Sequence, residues 1–191
     1  MMPVPERDAA LDLLLAMRPF PGWRLAGLIA AAGPDADLLF PGGQLDLIEA
    51  YCDLADRRME EGAAEFDMSA LRVPARVRAV VALRLAQNRP HKDAVRRAVG
   101  VLARPGNLGL AARCTARTVD AVWHAAGDTS VDFSWYTKRA ILAGVYGTTL
   151  LYWLRDDSEN DAATLAFLDR RLADVGRIGR LRRGAGPRPA T

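Results

Sequence analysis

GWRLAGLIAAAGPDADLLFPG, residues 22–42, runs into a further apolar-patterned stretch that begins QLDLIEAY at Gln44. An apolar helix stopping at Gly33, a very short segment, and an FPG turn into a long helix make the cadence of a helix-turn-helix. A helix that reads DNA must set basic or polar side chains against phosphates and base edges, because neutralised phosphates supply most of the affinity. Between Leu25 and Asp56 there is no lysine or arginine, while Asp35, Asp37, Asp46, Glu49, Asp53 and Asp56 all fall inside that window. The motif keeps the cadence of a DNA reader without its charge, so the reading surface it predicts repels nucleic acid.

Outward from this motif, prolines and glycines punctuate the chain, and between them apolar residues recur at spacings of three and four. That period belongs to amphipathic helices. Helices are predicted at 6–18, 22–33, 35–40, 43–61, 75–88, 91–103, 107–126, 133–155 and 160–182. Pro74, Pro90 and Pro105 stand just ahead of helices, where a missing N–H is tolerated. Gly127 reads as a C-terminal stop and Asp132 as the next N-cap. The fold class is all-α, with about nine helices. The degenerate helix-turn-helix ahead of a larger helical body resembles the TetR (tetracycline-repressor) architecture over about the first 60 residues. Three regions are expected: the helix-turn-helix with its linking helix over 1–62, a helical ligand domain over 63–175, and a basic, disordered tail over 176–191.

Half of the 191 residues are hydrophobic, enough to bury a sizeable core. Lys92 and Lys138 are the only lysines, so arginine supplies almost all the positive charge, a bias that suits a GC-rich bacterial coding sequence. The net charge of +3 hides an asymmetry: from Arg170 to Thr191 seven arginines face one acid, Asp174, a local +6 that leaves the first 169 residues at −3. Cys52 and Cys114 fit no zinc or disulfide spacing. The N-terminal PERDAALDLLLAM lacks the basic region, long apolar run and cleavage site of a signal peptide. A cytoplasmic protein is expected.

The densest stretch is DTSVDFSWYTKRAILAGVYGTTLLYWL, residues 128–154, with six of the thirteen aromatic residues. At about 100° per residue, Trp135, Leu142, Tyr146, Thr149 and Trp153 share one stripe, flanked by Lys138 and Arg139. Ala140, Gly144, Gly147 and Leu151 lie opposite, small or slim groups that permit close helix packing. Both sides are apolar, which predicts a helix buried all round. Its uncharged run, Ala140 to Leu154, is 15 residues, shorter than the ~20 needed to cross a bilayer. Lys138 and Arg139 do not tolerate unpaired burial, and tryptophan, tyrosine and arginine together mark interface hot spots. Two readings therefore stand beside each other, a core helix and an aromatic patch for a partner or an amphiphilic lipid.

The run WHAAGDTSVDFSWYTKRAILAGVYGTTLLYWL, residues 123–154, followed by Phe167, Leu168, Asp169, Arg170 and Arg171, is similar to the signature of the ubiquinone-biosynthesis accessory proteins of the coenzyme-Q protein nine family. The resemblance implies a TetR-like helical homodimer without DNA binding and with a hydrophobic cavity for isoprenoid lipids. It also implies that ubiquinone precursors are presented to the demethoxyubiquinone hydroxylase. Carried over by position, the partner-facing patch would comprise Val122, Asp132, Trp135, Tyr136 and Arg139. Leu142 and Tyr146 extend it along the aromatic stripe, and Tyr136 is expected to point toward the preceding helix. Leu168, Leu172, Val175, Ile178 and Leu181 form a rough apolar strip, weakened by Gly176 and Gly179, so two readings stand: Arg177, Arg180, Arg182 and Arg183 meet an anionic membrane surface, or they belong to a solvated basic tail. Peripheral association with a bacterial inner membrane follows as an expectation.

Catalysis finds no support in the residues. Neither His91 nor His124 sits three positions after a glutamate, so the ExxH arrangement of a helical di-iron site is missing. Glycine-rich phosphate cradles are missing as well. No catalytic residue, metal site or cofactor is predicted, apart from a bound lipid or quinone precursor. The alternative function is a ligand-responsive TetR-type transcriptional regulator.

Overall fold

The computed structural model describes residues 5–127 and 134–184, with side chains in the second stretch described from 136 to 177. Eight α-helices follow one another: α1 (Pro5–Ala16), α2 (Leu25–Ala32), α3 (Gly43–Ala64), α4 (Val73–Asn88), α5 (Lys92–Leu102), α6 (Leu108–Ala125), α7 (Ser134–Trp153) and α8 (Ala162–Gly184). Short 3-10 turns lie at Ala36–Leu39, Arg89–His91, Pro105–Asn107 and Glu159–Asp161. There is no strand among the described residues. The nine predicted segments correspond to the eight α-helices and the 3-10 turn at Ala36–Leu39.

The helix ends follow local chemistry. Pro5 opens α1, with Glu6 and Asp8 in its first turn opposing the positive end of the helix dipole. Ala10, Leu11, Leu14 and Leu15 repeat at helical spacing and are buried. The chain cannot begin α2 at residue 22 as predicted, because Gly22 adopts φ 94° and Trp23 is driven into the core. There the Trp23 indole N–H donates to the Ala94 carbonyl at 2.8 Å, between the rings of Phe20 and Tyr51. Gly127, at φ 72°, stops α6 with its N–H on the His124 carbonyl, as expected. Asp132, the proposed N-cap, lies outside the described residues.

α3 packs along α6, α4 and α1, α2 packs on α1, and α7 lies between α6 and α8. The buried residues form one continuous core from Ala10 to Leu168. The predicted boundary at 62 therefore falls inside α3, whose length joins the two regions. The boundary at 176 likewise falls inside α8, which stays helical to Gly184 rather than becoming disordered. No proline interrupts it before Pro187, and Asp174 pairs with Arg171 at 3.0 Å and with Arg177 at 3.8 Å on its exposed side.

In the helix-turn-helix, the segment that would read DNA is a single 3-10 turn of four residues, with Leu38 76% exposed. The acidic window is divided: Asp35 is exposed and Asp37 half-buried at the turn, whereas the acids within α3 are matched by arginines. Asp46 pairs with Arg7, Asp53 with Arg57 at 3.1 Å, and Asp56 with Arg84 at 3.0 Å. Arg57 also holds Asp8 at 2.8 Å. The motif thus carries neither a lysine nor an arginine between Leu25 and Asp56 and has one short turn in place of its second helix.

Candidate functional site

α7 turns a single face to the core. Leu142, Val145, Tyr146, Thr149 and Trp153 are buried, whereas Ile141, Gly144, Thr148, Leu151 and Tyr152 are exposed. The helix is therefore not buried all round. Gly144 and Gly147 do not serve close packing either, since a Cβ added to either would meet nothing within 4 Å. Their missing side chains leave space, and both line a cavity of about 490 Å³ enclosed by α3, α4, α5, α6 and α7.

The cavity has two ends of different chemistry. Its rim includes the exposed Ala103, Leu108, Gly144 and Leu151. Its inner wall carries Tyr51, Arg84, Asn88, Thr118, Tyr146 and Trp153, all buried. The Tyr51 hydroxyl donates to Asn88, whose amide donates to the Arg84 carbonyl at 2.7 Å. Just behind, Asp56 takes the Thr118 hydroxyl at 2.9 Å and the Arg84 guanidinium at 3.0 Å. Burial pushes the Asp56 carboxyl up to about 6 and the Tyr146 hydroxyl up to about 12. Cys52 and Cys114 also line the space, and a hydrogen bond between them raises the Cys52 thiol and lowers Cys114. Two buried donors on this wall, Arg84 Nε and Trp153 Nε1, have no hydrogen-bond partner.

A second cavity, about 450 Å³, lies among the end of α3, α4 and α8, against Phe66, Leu71, Leu83 and Leu165. Of its charged residues, Arg89 and Asp161 pair at 2.9 Å and Asp67 accepts the Ser69 N–H at 2.9 Å, so each has a partner within the chain.

The predicted partner residues separate. Val122, Leu142 and Tyr146 are interior, so the exposed aromatic patch is corrected to a smaller surface. The 3.6-residue period that aligned them is the period of their burial. Tyr136 is 77% exposed. Arg139 is ion-paired with Asp120, and Lys138 sits 5.9 Å over the Trp123 ring. Asp132 and the Trp135 side chain lie outside the described residues. Of the membrane residues, Arg177 is exposed, and the side chains of Arg180, Arg182 and Arg183 lie outside the described residues. The apolar strip of α8 is largely spent on the fold, with Leu168 buried and Leu172 and Val175 packed against the core. Ile178 and Leu181 carry side chains outside the described residues. No helix among the described residues is long and apolar enough to cross a membrane.

Sequence reasoning missed the polar wall. In α4 the buried stripe reads Val77, Val80, Val81, Arg84, Leu85, Asn88. An arginine and an asparagine in apolar register were its visible signal.

Comparison with known proteins points to the same segment. Residues 108–179, which hold α6, α7 and most of α8, match the family model described as COQ9. The chain is similar to the ubiquinone biosynthesis protein COQ9, mitochondrial, of Rattus norvegicus, 40% identical over 103 residues that make up 54% of this chain and 33% of the relative. The human relative of the same description is 38% identical over 54% of this chain and 32% of its own length. That of Schizosaccharomyces pombe is 31% identical over 75% of this chain and 57% of the relative. The chain thus spans about a third of the length of the vertebrate relatives. A solved structure described as the TetR transcriptional regulator from Nitrosomonas europaea superposes with a TM-score of 0.73 and 26% identity, covering 91% of this chain and 99% of that one. The fold is TetR-like and all-α.

Proposed function

Because residues 108–179 belong to the COQ9 family, we propose that the protein serves ubiquinone biosynthesis as a non-enzymatic accessory that holds an isoprenoid quinone precursor and delivers it to the demethoxyubiquinone hydroxylase. The observation that carries this reading is the cavity of about 490 Å³, which opens between α6 and α7 inside the matched segment. Ligand sites of roughly 300–1,000 Å³ engulf a body of drug size. Apolar transfer at about 25 cal/mol per Å2 favours keeping the apolar surface of such a ligand there rather than in water. Tyr136, 77% exposed and three residues before Arg139 of the Arg139–Asp120 pair, is the part of the predicted partner patch at the surface where the hydroxylase would dock. The exposed Arg177 and the arginines that follow it would hold the protein against an anionic membrane from a bacterial cytoplasm, and a second copy would complete a homodimer.

Extraction of the purified protein with organic solvent, followed by mass spectrometry, should yield a prenylated quinone or phenol. An extract without lipid would overturn the reading. Tyr136→Ala should weaken hydroxylase co-purification several-fold while leaving thermal stability within about 0.5 kcal/mol, as expected at an exposed position. Unchanged co-purification would move the partner surface elsewhere.

The regulator reading takes support from the Nitrosomonas europaea likeness. Against it stand the four-residue 3-10 turn and the absence of Lys or Arg from Leu25 to Asp56. Mobility shift at low salt, where non-specific binding is strongest, should show no DNA complex; a shifted band would restore that reading.

A further inference from the structure

The two ends of the α3–α7 cavity are unequal, and the inequality sets a direction. The exposed rim, at Leu108 and Leu151, is apolar, and the buried wall is polar. An amphiphile that kept its head in water would lay hydrocarbon against Tyr51, Arg84, Asn88 and Tyr146 and leave the donors Arg84 Nε and Trp153 Nε1 buried without an acceptor, which is unfavourable. We propose that the ligand enters head first: an uncharged ring bearing oxygen acceptors sits at the inner wall within reach of Arg84 and Trp153, and its hydrocarbon tail leaves between Leu108 and Leu151. The proposal rests on the lipid-holding reading above and adds which end goes in.

The charge balance says that the head is neutral. Arg84 is already matched by Asp56 at 3.0 Å. Of the neighbouring cations, Arg117 is surrounded by Glu49, Asp53 and Asp56 at 3.8–3.9 Å, and Lys92, 5.1 Å over the Trp153 ring, does not line the cavity and donates to the Asp156 carbonyl. A carboxylate or phosphate would therefore find no unmatched cation on the lining itself to repay its desolvation. Carbonyl, phenol or ether oxygens ask only for donors. The space also limits what goes in, since about 490 Å³ takes a ring and the start of a tail but not a chain of many isoprene units. The rest of the tail passes the gap left by Gly144 and Gly147 and lies over the exposed apolar side of α7.

Isothermal titration of the full chain with three probes sharing a decyl tail tests this: a dimethoxy-benzoquinone, plain decylbenzene, and decanoate. The quinone should bind about tenfold or more tighter than decylbenzene, with decanoate weakest. Trp153→Phe, which deletes one donor and keeps an aromatic ring, should cost the quinone about five- to tenfold and leave decylbenzene unchanged. Arg84→Leu combined with Asp56→Leu removes the ion pair without stranding a charge, and after a check of its helical melt should do the same. Equal affinity for quinone and decylbenzene, or variants that weaken both alike, would overturn the head-first orientation while leaving a lipid-holding cavity in place. Tightest binding of decanoate would overturn the neutral head. If no probe binds, the cavity reading itself fails and this proposal with it.

Discussion

Trp23 and Trp153 are the two largest fully buried side chains of the molecule, and they differ in one hydrogen bond. The Trp23 indole donates to the Ala94 carbonyl at 2.8 Å, in a region where Arg57 also joins Asp8 and Asp53. The Trp153 indole, at the cavity, donates to nothing, and nor does Arg84 Nε on the same wall. Burial is equal, so hydrophobic packing does not separate the two regions. Satisfaction does: the first is closed chemistry whose role is to hold the fold, and the second keeps donors in reserve.

The comparison can be broken most directly at Arg84. Arg84→Leu strands the Asp56 carboxyl and should cost about 3–5 kcal/mol in denaturant unfolding, while the further change Asp56→Leu should recover most of it. No recovery would mean that the pair matters for more than its own balance.

Next in size is a dependence on pH. Burial holds the Asp56 carboxyl at about 6, above its ordinary 3.8. Between those values the folded protein keeps a proton that the unfolded chain has released. The contribution of this group is therefore most favourable below about pH 4, declines as pH rises to about 6, and stays reduced above that. Measured as the difference in unfolding free energy between the wild type and Asp56→Asn, the decline should be about 3 kcal/mol, and a flat difference would place Asp56 in a far wetter environment.

A smaller effect sharpens the contrast between the tryptophans. Trp23→Phe removes a made hydrogen bond and Trp153→Phe does not, so the first should be about 1 kcal/mol the more destabilising in the absence of ligand. The smallest concerns glycine. Gly147→Ala places a methyl in open space within a helix and should stabilise by about 0.5–1 kcal/mol, whereas Gly27→Ala meets the Pro21 ring at 3.0 Å and should lose part or all of that gain. Thermal melts of the two variants decide this.

The helices were legible because apolar period and punctuation act locally. α6 and α7 lie within one or two residues of the predicted segments. Burial of one face of α7 was legible only as ambiguity: the stripe of Leu142, Tyr146 and Trp153 reads the same whether a neighbouring helix or a partner covers it. Gly144 and Gly147 had the signature of close packing, yet they border a cavity, because a small residue records only that nothing protrudes. Asp53 and Asp56 looked like surface acids, since their arginine partners arrive from their own helix and from α4. Arg84 and Asn88 were visible as polar residues in apolar register, and they are the part of the site that a purely hydrophobic tunnel left out.

One arrangement at the end of α7 bears on how the cavity can admit anything. Lys92 donates to the Asp156 carbonyl and Arg96 to the Leu154 carbonyl at 2.7 Å, so α5 grips the chain just beyond Trp153, with Lys92 also over the indole at 5.1 Å. Leu151 stands two residues before that clasp, so α5 also fixes the width of the rim between Leu108 and Leu151 and holds the Trp153 indole in one register against the inner wall.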